Sequence, residues 1–345
     1  MTPQPGTTGL TLGKFAPLHR GHQYLIETAL AEVEQLIIVI YDCPDTTDLP
    51  LPVRVGWLRD IYPQATVVEA WDGPLEVGNT PAIRKRHEDY FINRLKMRGI
   101  THFYSSEFYG EHMSAALGAV NRLVDEARTR VPISATQVRQ APFAHRHFVH
   151  PRVYRDLITN VVFLGAPSTG KTTLAEHLAA AYQTVWMPEY GREYWEQHQV
   201  NRRLTPGQLV ELAEVHLERE ERLLSAANGY LFTDTNAITT WMFSHAYHGM
   251  AEARLTELVQ LAATRYDLVF VCDTDIPYDD TWDRSGEVER LVFQKQILAD
   301  LRMRRIPFFV LQGSVAERTA TVQAILSRFH RYQTVVELLM GTTPA

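Results

Sequence analysis

Two glycine-containing stretches organise this sequence, one near the N-terminus and one near the middle. The first reads Gly13-Lys14-Phe15-Ala16-Pro17-Leu18-His19-Arg20-Gly21-His22, and the second reads Gly165-Ala166-Pro167-Ser168-Thr169-Gly170-Lys171-Thr172. We name them the first phosphate loop (residues 13–22) and the second phosphate loop (residues 165–172). Each follows an apolar run typical of a buried strand and precedes a segment with helical spacing. The free N–H groups of a helix N-terminus bind phosphate, so the sequence predicts two nucleoside triphosphate sites.

The spacing of apolar residues predicts an α/β fold with two doubly wound parallel-sheet domains. In the first domain, strands are predicted at residues 9–12, 35–41, 66–70 and 102–105, and helices at residues 23–33, 52–61 and 81–98. In the second domain, strands are predicted at residues 160–164, 183–187, 230–233, 267–272 and 308–311, with helices that include residues 172–182 and 206–226. Strands that alternate with helices form parallel sheets covered on both faces. We expect the domains to comprise residues 1–156 and 157–345.

Composition and charge narrow the class of protein. A chain of 345 residues corresponds to about two domains. The net charge of -6 and the isoelectric point of about 6.2 argue against a nucleic-acid partner. Only Cys43 and Cys272 are present, which is typical of a protein in the reducing cytoplasm. The longest apolar runs have the length of a strand, so we expect no membrane partner. Small molecules are the expected partners, and a homo-oligomer is compatible with the sequence.

The first phosphate loop carries two histidines, three residues apart, at the start of a predicted helix. Nucleotidyl transfer needs little covalent help, because a phosphate oxygen attacks the α-phosphorus of ATP and pyrophosphate leaves. His19 and His22 are the predicted catalytic residues, since imidazole N–H groups and the helix dipole both favour phosphate oxygens. A metal-binding pair or a surface pair is the alternative, which the length of the motif disfavours. The residues predicted to bind the nucleotide are Gly13, Lys14, Phe15 and Gly21.

A second motif completes this predicted site and reads Ile133-Ser134-Ala135-Thr136-Gln137-Val138-Arg139. A serine at a helix start, followed by an arginine, offers a hydroxyl, N–H groups and a guanidinium to the β- and γ-phosphates. Ser134, Thr136 and Arg139 are therefore predicted to bind ATP. A serine at this position is often only a helix cap, so the prediction depends on the two motifs together.

The second phosphate loop matches the P-loop pattern GxxxxGK[ST] at every fixed position. Lys171 is predicted to be catalytic through contact with the β- and γ-phosphate oxygens, and Thr172 is predicted to bind Mg²⁺. The residues predicted to bind ATP here are Gly165, Ala166, Pro167, Ser168, Thr169, Gly170, Thr172 and Thr173.

Two carboxylates and one arginine are the further catalytic candidates of the second domain. Asp234 ends a predicted strand, where it would bind Mg²⁺ or the acceptor hydroxyl, and a turn residue is the alternative. Glu189 also follows a strand and would hold the acceptor ribose or take its proton. Arg284 lies in the polar segment 280–289, which is predicted to be a lid that carries the arginine to the transferring phosphoryl group. A solvated charged loop is the alternative interpretation of that segment.

With both sites taken in order, the chain resembles the NadR family of bifunctional nicotinamide-mononucleotide adenylyltransferases and ribosylnicotinamide kinases. Residues 13–22 and 133–139 resemble the HxGH and ISxTxxR signatures of the nucleotidylyltransferase superfamily. The P-loop and residues 189–194 and 233–236 extend the resemblance over nearly the whole chain. It implies a Rossmann-like nucleotidylyltransferase domain followed by a P-loop kinase domain. The kinase would phosphorylate nicotinamide riboside, and the first domain would adenylate the mononucleotide to NAD, with ATP and Mg²⁺ used in the chemistry.

Two other functions are compatible with these motifs. The first is an adenylyltransferase and kinase pair that acts on another phosphorylated acceptor, of the pantetheine or flavin type. The second is a nucleotide sensor that binds without turnover. The presence of His19, His22, Lys171 and Asp234 together argues against the sensor, because binding alone has less need of all four.

Overall fold

Each half of the chain contains one five-stranded parallel sheet. The computed structural model describes residues 4–200, 203–278, 287–332 and 340. These residues form two compact units, of which the first extends to Val153 and the second comprises Tyr154–Arg331. None of the helices in this described part of the chain is long and apolar enough to cross a lipid bilayer.

The first unit is built around the strand that leads into the first phosphate loop. Its strands are β1 (Gln4–Gly13), β2 (Val33–Tyr41), β3 (Thr66–Ala70), β4 (His102–Ser105) and β5 (Val120–Leu123). Its helices are α1 (Arg20–Glu32), α2 (Leu51–Ile61), α3 (Pro81–Asp89), α4 (Gly110–Leu117), α5 (Ala135–Gln140) and, at the end of the unit, α6 (Pro151–Tyr154). The strand order is β3-β2-β1-β4-β5, with every pair parallel. The first phosphate loop therefore leaves the central strand, where the strand order reverses and ligands bind in open α/β sheets.

The second unit repeats this arrangement around the second phosphate loop. Its strands are β6 (Thr159–Leu164), β7 (Trp186–Met187), β8 (Tyr230–Asp234), β9 (Leu268–Cys272) and β10 (Phe309–Leu311). Its helices are α7 (Lys171–Ala181), α8 (Tyr190–His198), α9 (Pro206–Leu224), α10 (Ala237–His248), α11 (Ala253–Arg265), α12 (Glu287–Met303) and α13 (Val315–Leu326). The order is β10-β9-β6-β8-β7, again with parallel pairs. The central strand β6 delivers its loop to the carboxyl edge of the sheet.

Both faces of the second sheet are buried, which explains its nearly continuous apolar strands. On one face, Phe163 stacks between Phe232 and Phe270, with ring centroids 6.2 and 5.7 Å apart, and α7 and α13 cover the three rings. On the other face, Val162 and Leu164 pack against α10, α11 and α12. These two layers hold the carboxyl ends of the strands, and hence the second phosphate loop, in fixed positions.

The predicted fold class is confirmed, and the differences lie in individual elements. Strands β3 and β4 occupy the predicted residues, whereas the helix predicted over residues 81–98 ends at Asp89 and continues as a π-helical turn, Tyr90–Arg94. The positive φ angles of Lys96 and Gly99 are incompatible with further helix. Strand β5 was not predicted because all four of its residues are exposed, so it carries no alternation of apolar and polar side chains.

Candidate active sites

A cavity of about 560 Å³ opens at the carboxyl end of β1 in the first unit. This volume lies in the range of pockets that hold small molecules and cofactors. Both sequence motifs of the first unit contribute to its walls, through Gly13, Lys14, Phe15, His19, Gly21, His22, Ser134, Thr136 and Arg139. The structure therefore brings together every residue predicted for this site.

The two histidines are fixed by backbone hydrogen bonds at the start of α1. The Nδ1 atom of His19 accepts from the Gly21 N–H at 3.1 Å, and Nδ1 of His22 accepts from the His19 N–H at 3.4 Å. The two rings stack with their centroids 3.8 Å apart. Because both Nδ1 atoms accept, each neutral ring carries its proton on Nε2, which suits a phosphate oxygen as acceptor.

Both imidazoles are neutral at pH 7. Burial, with a smaller contribution from the Arg128 charge, lowers the pKa of His19 to about 4. Burial, together with His19 and Arg128, also lowers the pKa of His22 well below its usual value. Positive charge in the cavity wall comes instead from Lys14, Arg128 and Arg139. The histidines can therefore act as oriented hydrogen-bond donors without a net charge.

Helix α5 connects the second motif to the first phosphate loop. Ser134 caps this helix, because its Oγ accepts from the Gln137 N–H at 3.2 Å. The Arg139 guanidinium donates to the carbonyl of Ala16 at 2.5 Å and to Oγ1 of Thr136 at 3.2 Å. Arg139 thus joins the two motifs, in addition to its position in the cavity wall.

Sequence analysis missed Arg54, which holds the first phosphate loop from behind. Its side chain is completely buried and donates to the carbonyls of Lys14 at 2.6 Å, Tyr41 at 2.8 Å and Leu49 at 3.0 Å. A buried guanidinium needs such partners, because an unpaired buried charge is very unfavourable. The signal in the sequence is one arginine inside the apolar run of α2, and no motif contains it.

The second phosphate loop has the backbone of an anion-binding turn. Gly165 has a φ of +141°, Ser168 of +59° and Gly170 of +79°. Only glycine fits at position 165, because a Cβ there would lie 2.6 Å from the carbonyl oxygen of Cys272. Lys171 is buried at the start of α7, where its Nζ donates to the Ala166 carbonyl at 3.0 Å. Thr169 is buried and its Oγ1 donates to the same carbonyl, whereas Pro167 is half-buried in the loop and Thr173 is exposed on α7.

The predicted carboxylates lie beside this loop. Oγ1 of Thr172 donates to Oδ2 of Asp234 at 2.5 Å. Asp234 is fully buried, and its Oδ1 has no hydrogen-bond partner among the described residues. Burial and the negative charge of Glu189 raise the pKa of Asp234 to about 7, although the Lys171 charge and the Thr172 hydrogen bond oppose them. Glu189 is half-buried at the start of α8 and follows β7, which pairs with β8. Because β8 ends at Asp234, both carboxylates lie at the same edge of the sheet and interact electrostatically.

These oxygen atoms fit a magnesium ion. Within the described residues, no cluster of three or more His, Cys, Asp and Glu side chains forms a complete metal cage. Mg²⁺ prefers oxygen ligands and is commonly held by one or two carboxylates together with substrate phosphates and water. The unpartnered Oδ1 of Asp234 and the adjacent Thr172 hydroxyl supply ligands of this type.

One predicted catalytic residue lies outside the described residues. Arg284 belongs to the segment 279–286, so its predicted position on a lid stays a prediction. The structure adds three side chains that sequence analysis missed, Arg290 and Gln294 on α12 and Arg318 on α13. Each of them hydrogen-bonds to the backbone of the second phosphate loop.

Two protein-family models match the chain in the order of these sites. The cytidylyltransferase-like model matches residues 10–141, which include the cavity of the first unit, and the AAA domain model matches residues 160–318, which include the P-loop. With the site geometry, these matches define a two-domain enzyme in which a nucleotidyltransferase-like domain precedes a P-loop domain that binds nucleoside triphosphates.

Curated relatives extend over both domains. The trifunctional NAD biosynthesis/regulator protein NadR of Escherichia coli (strain K12) is 29% identical over 368 residues, which cover 98% of this chain and 84% of the relative. The protein of the same name from Salmonella typhimurium (strain LT2) is 30% identical over 330 residues, which cover 87% and 77%. The chain belongs to the NadR family, as the sequence motifs predicted.

Solved structures of NadR proteins share the fold. A crystal structure of NadR in complex with NAD and AMP-PNP aligns with a TM-score of 0.53 and 21% identity, covering 100% of this chain and 98% of the other. A structure of NadR in complex with NR aligns with a TM-score of 0.56 and 23% identity, covering 94% and 96%. Both therefore support the arrangement of two successive parallel-sheet domains.

Proposed function

We propose that this protein makes NAD in two steps at two separate sites. The second unit phosphorylates nicotinamide riboside on its 5′-hydroxyl, and the first unit transfers the adenylyl group of ATP to the resulting mononucleotide. The observation that carries this proposal is the presence of two phosphate-loop motifs, each between a strand and a helix, one in each unit of a single NadR-family chain. The names of the relatives, which refer to NAD biosynthesis, and the NAD, AMP-PNP and NR complexes of NadR proteins support these substrates.

In the first unit, adenylyl transfer would proceed without a protein base. A phosphate oxygen of the mononucleotide attacks the α-phosphorus of ATP, the bond between that phosphorus and the bridging oxygen breaks, and pyrophosphate leaves with the electron pair. The attacking phosphate is already deprotonated at pH 7, so no proton has to be removed. The Nε2–H groups of His19 and His22 and the charges of Lys14 and Arg139 would stabilise the negative charge that develops on the phosphates.

In the second unit, the attacking group is a hydroxyl, so a base is required. The 5′-oxygen of the riboside attacks the γ-phosphorus, the bond to the β–γ bridging oxygen breaks, and ADP leaves. Glu189 or the ionised Asp234 would accept the hydroxyl proton, and Lys171 would neutralise the β- and γ-phosphate oxygens. A bound Mg²⁺ would shield the charge of the phosphates, held by Thr172 and, where Glu189 is the base, also by Asp234. The pKa of Asp234 near 7 allows proton transfer at neutral pH.

Product analysis by mass spectrometry tests this assignment. The full-length protein is incubated with ATP, Mg²⁺ and either the riboside or the mononucleotide. We expect the riboside to give the mononucleotide and ADP, and the mononucleotide to give NAD and pyrophosphate. Phosphopantetheine and flavin mononucleotide serve as competing acceptors in parallel reactions.

Two outcomes would contradict the proposal. Preferential turnover of a pantetheine or flavin acceptor would assign the same chemistry to a different pathway. Binding of ATP without any product from either nicotinamide compound would favour a nucleotide sensor.

A further inference from the structure

Two buried arginines donate hydrogen bonds to carbonyl groups of the second phosphate loop. Nη2 of Arg290 donates to the Ser168 carbonyl at 3.1 Å, and Nη1 of Arg318 donates to the Thr169 carbonyl at 2.6 Å. Both arginines are only 2% exposed. Neither belongs to the P-loop motif, and they come from different helices, α12 and α13.

Arg318 connects the loop to the ends of two neighbouring strands. Its Nε donates to the Gly313 carbonyl at 3.0 Å, just after β10, and its Nη2 donates to the Asp273 carbonyl at 3.3 Å, just after β9. An ion pair with Asp275, at 2.5 Å, balances its charge. One planar guanidinium therefore reaches the Thr169, Gly313 and Asp273 carbonyls in three directions.

Helix α12 holds the same loop at one more point and connects it to the end of β9 and the residues after it. Arg290 also donates to the Ile276 carbonyl at 3.0 Å. Gln294 lies four residues later on the same helical face and accepts from the Ala166 N–H at 2.8 Å, while it donates to the Cys272 carbonyl at 3.0 Å. The backbone at positions 166, 168 and 169 is thus tied to α12 and α13.

These contacts determine which backbone dipoles face the phosphate side of the loop. A concavity that binds anions forms when successive N–H groups converge through alternating right- and left-handed conformations, and Ser168 and Gly170 have the left-handed conformation here. Because the Ser168 and Thr169 carbonyls are bound to the two arginines, they are not free to turn towards a bound phosphate. A carbonyl turned inward would instead repel a phosphate oxygen.

We propose that Arg318 and Arg290 are positioning residues for phosphoryl transfer in the second unit, an inference that rests on the proposed kinase function. They act through the backbone of the P-loop and make no contact with the substrate themselves. Lysine cannot replace either arginine, because its single ammonium group cannot donate along the fixed directions of a guanidinium fork. A lysine variant keeps the positive charge, so the substitution tests only the loss of the directed hydrogen bonds of the guanidinium.

The test is Arg318→Lys in the full-length protein, compared with Arg331→Lys as a matched control. Arg331 donates to the carbonyls of Arg155 and Ile158 and pairs with Asp267, but at the amino end of β6, away from the loop. Calorimetric titration with ADP measures binding, and the Lys171→Ala variant identifies which heat belongs to the second phosphate loop. Kinase kcat and KM for ATP, adenylyl transfer and thermal unfolding are measured on the same samples.

We expect Arg318→Lys to weaken ADP binding at the second loop and to lower kinase kcat/KM for ATP by roughly 10- to 100-fold, because small displacements of positioning groups are costly. Adenylyl transfer should keep its wild-type rate. Arg331→Lys should lower the unfolding temperature without weakening ADP binding. Arg290→Lys, which loses fewer contacts, should show a smaller effect of the same kind and replaces Arg318→Lys if that variant does not fold.

Three outcomes are decisive. Wild-type ADP binding and kinase kinetics in a folded arginine-to-lysine variant at position 318 or 290 would overturn the proposal. An equal loss of ADP binding in Arg331→Lys would overturn it too, since the effect would then be a general loss of stability. If wild-type protein binds ADP but does not phosphorylate the riboside, while Arg318→Lys loses ADP binding, the positioning role holds and the kinase assignment fails.

Discussion

The two phosphate sites of this chain differ in the titratable groups that are predicted to take part in the chemistry. In the first, the neutral rings of His19 and His22 line the cavity, and their pKa values lie well below neutrality. In the second, the buried Lys171 lies close to Asp234, whose pKa is raised to about 7. The difference follows the nucleophile of each proposed reaction. A phosphate attacks without losing a proton, whereas a hydroxyl needs a base, and the raised pKa of Asp234 suits that proposed task in the second site.

The loops also share a feature that neither motif contains. Arg54 binds the Lys14 carbonyl in the first loop, and Arg318 binds the Thr169 carbonyl in the second. Both side chains are buried. Backbone carbonyls near a phosphate are unfavourable unless they point away from it, so an arginine behind each loop serves the same purpose in two unrelated sequences.

The largest expected effect that separates the two sites comes from Asp234→Asn. The amide cannot accept the hydroxyl proton and is a weaker metal ligand, so the kinase rate should fall by roughly 10²- to 10⁴-fold. Adenylyl transfer by the same protein serves as the internal control and should be unchanged. A wild-type kinase rate would remove Asp234 from the mechanism.

The same glycine-to-alanine change in each loop should give unequal effects. Gly165→Ala forces a side chain into a backbone conformation that favours glycine and against the Cys272 carbonyl, so kinase kcat/KM should fall by roughly 10- to 100-fold. In Gly13→Ala the atoms nearest to the new Cβ belong to the Phe15 side chain, at 3.1 Å, rather than to backbone, and Gly13 is not among the residues with positive φ. We expect adenylyl transfer to change by less than about threefold. Steady-state kinetics of both reactions measure the two losses, and thermal unfolding shows whether each variant is folded. Equal losses of activity in the two variants would contradict this prediction.

The pH dependence should differ between the sites. Because burial and Glu189 raise the pKa of Asp234 to about 7, its carboxylate is lost as pH falls through that value. Kinase kcat/KM should therefore drop about tenfold between pH 8 and pH 6. Adenylyl transfer should fall by no more than about threefold, because the pKa values of His19 and His22 are lowered and only the second ionisation of the phosphate, near pH 6, lies in this range. A flat kinase profile over this range would contradict the role of Asp234 as a titrating group.

The same pKa shift has a consequence for stability. The folded state binds the proton of Asp234 more tightly than the unfolded state, so this contribution is fully present below about pH 4 and is lost as pH rises towards 7. The sign is opposite to that of an ion-paired carboxylate. Urea unfolding of Asp234→Asn and wild-type protein over this pH range isolates the contribution.

A smaller effect than that of Asp234→Asn is expected from the arginine behind the first loop. Arg54→Lys removes hydrogen bonds to the Lys14 and Tyr41 carbonyls, each with a net free energy of about 1 kcal/mol. Only the Lys14 carbonyl belongs to the first phosphate loop, so adenylyl transfer should slow about fivefold, which corresponds to the loss of that one bond. The kinase activity should be unaffected. Equal losses in both reactions would show that Arg54 stabilises the whole protein rather than its own loop.

The features that the sequence predicts well lie within short, continuous segments of the chain. The phosphate loops lie within single strand–loop–helix segments, so the positions of residues such as His19 and Lys171 beside the strand ends could be predicted from the motifs. Asp234 and Glu189 were predicted because the carboxyl ends of parallel strands meet at one edge of a sheet.

What the sequence does not predict depends on long-range packing. Arg54 is 40 residues from the carbonyl of Lys14, and Arg318 is 149 residues from that of Thr169. Their partners are backbone carbonyls, which every residue type carries, so the sequence does not show which residue the arginine binds. The pKa of Asp234 was equally inaccessible, because it depends on burial and on the distance to Glu189 in the folded chain.

The central claim, two independent catalytic sites in one chain, is tested most directly by His19→Ala and Lys171→Ala assayed side by side. Mass spectrometry quantifies the mononucleotide formed from the riboside and the NAD formed from the mononucleotide. His19→Ala should lower NAD formation by roughly 10²- to 10³-fold and keep riboside phosphorylation, and Lys171→Ala should do the reverse. Loss of both products in either variant, with the protein still folded, would contradict the two-site account.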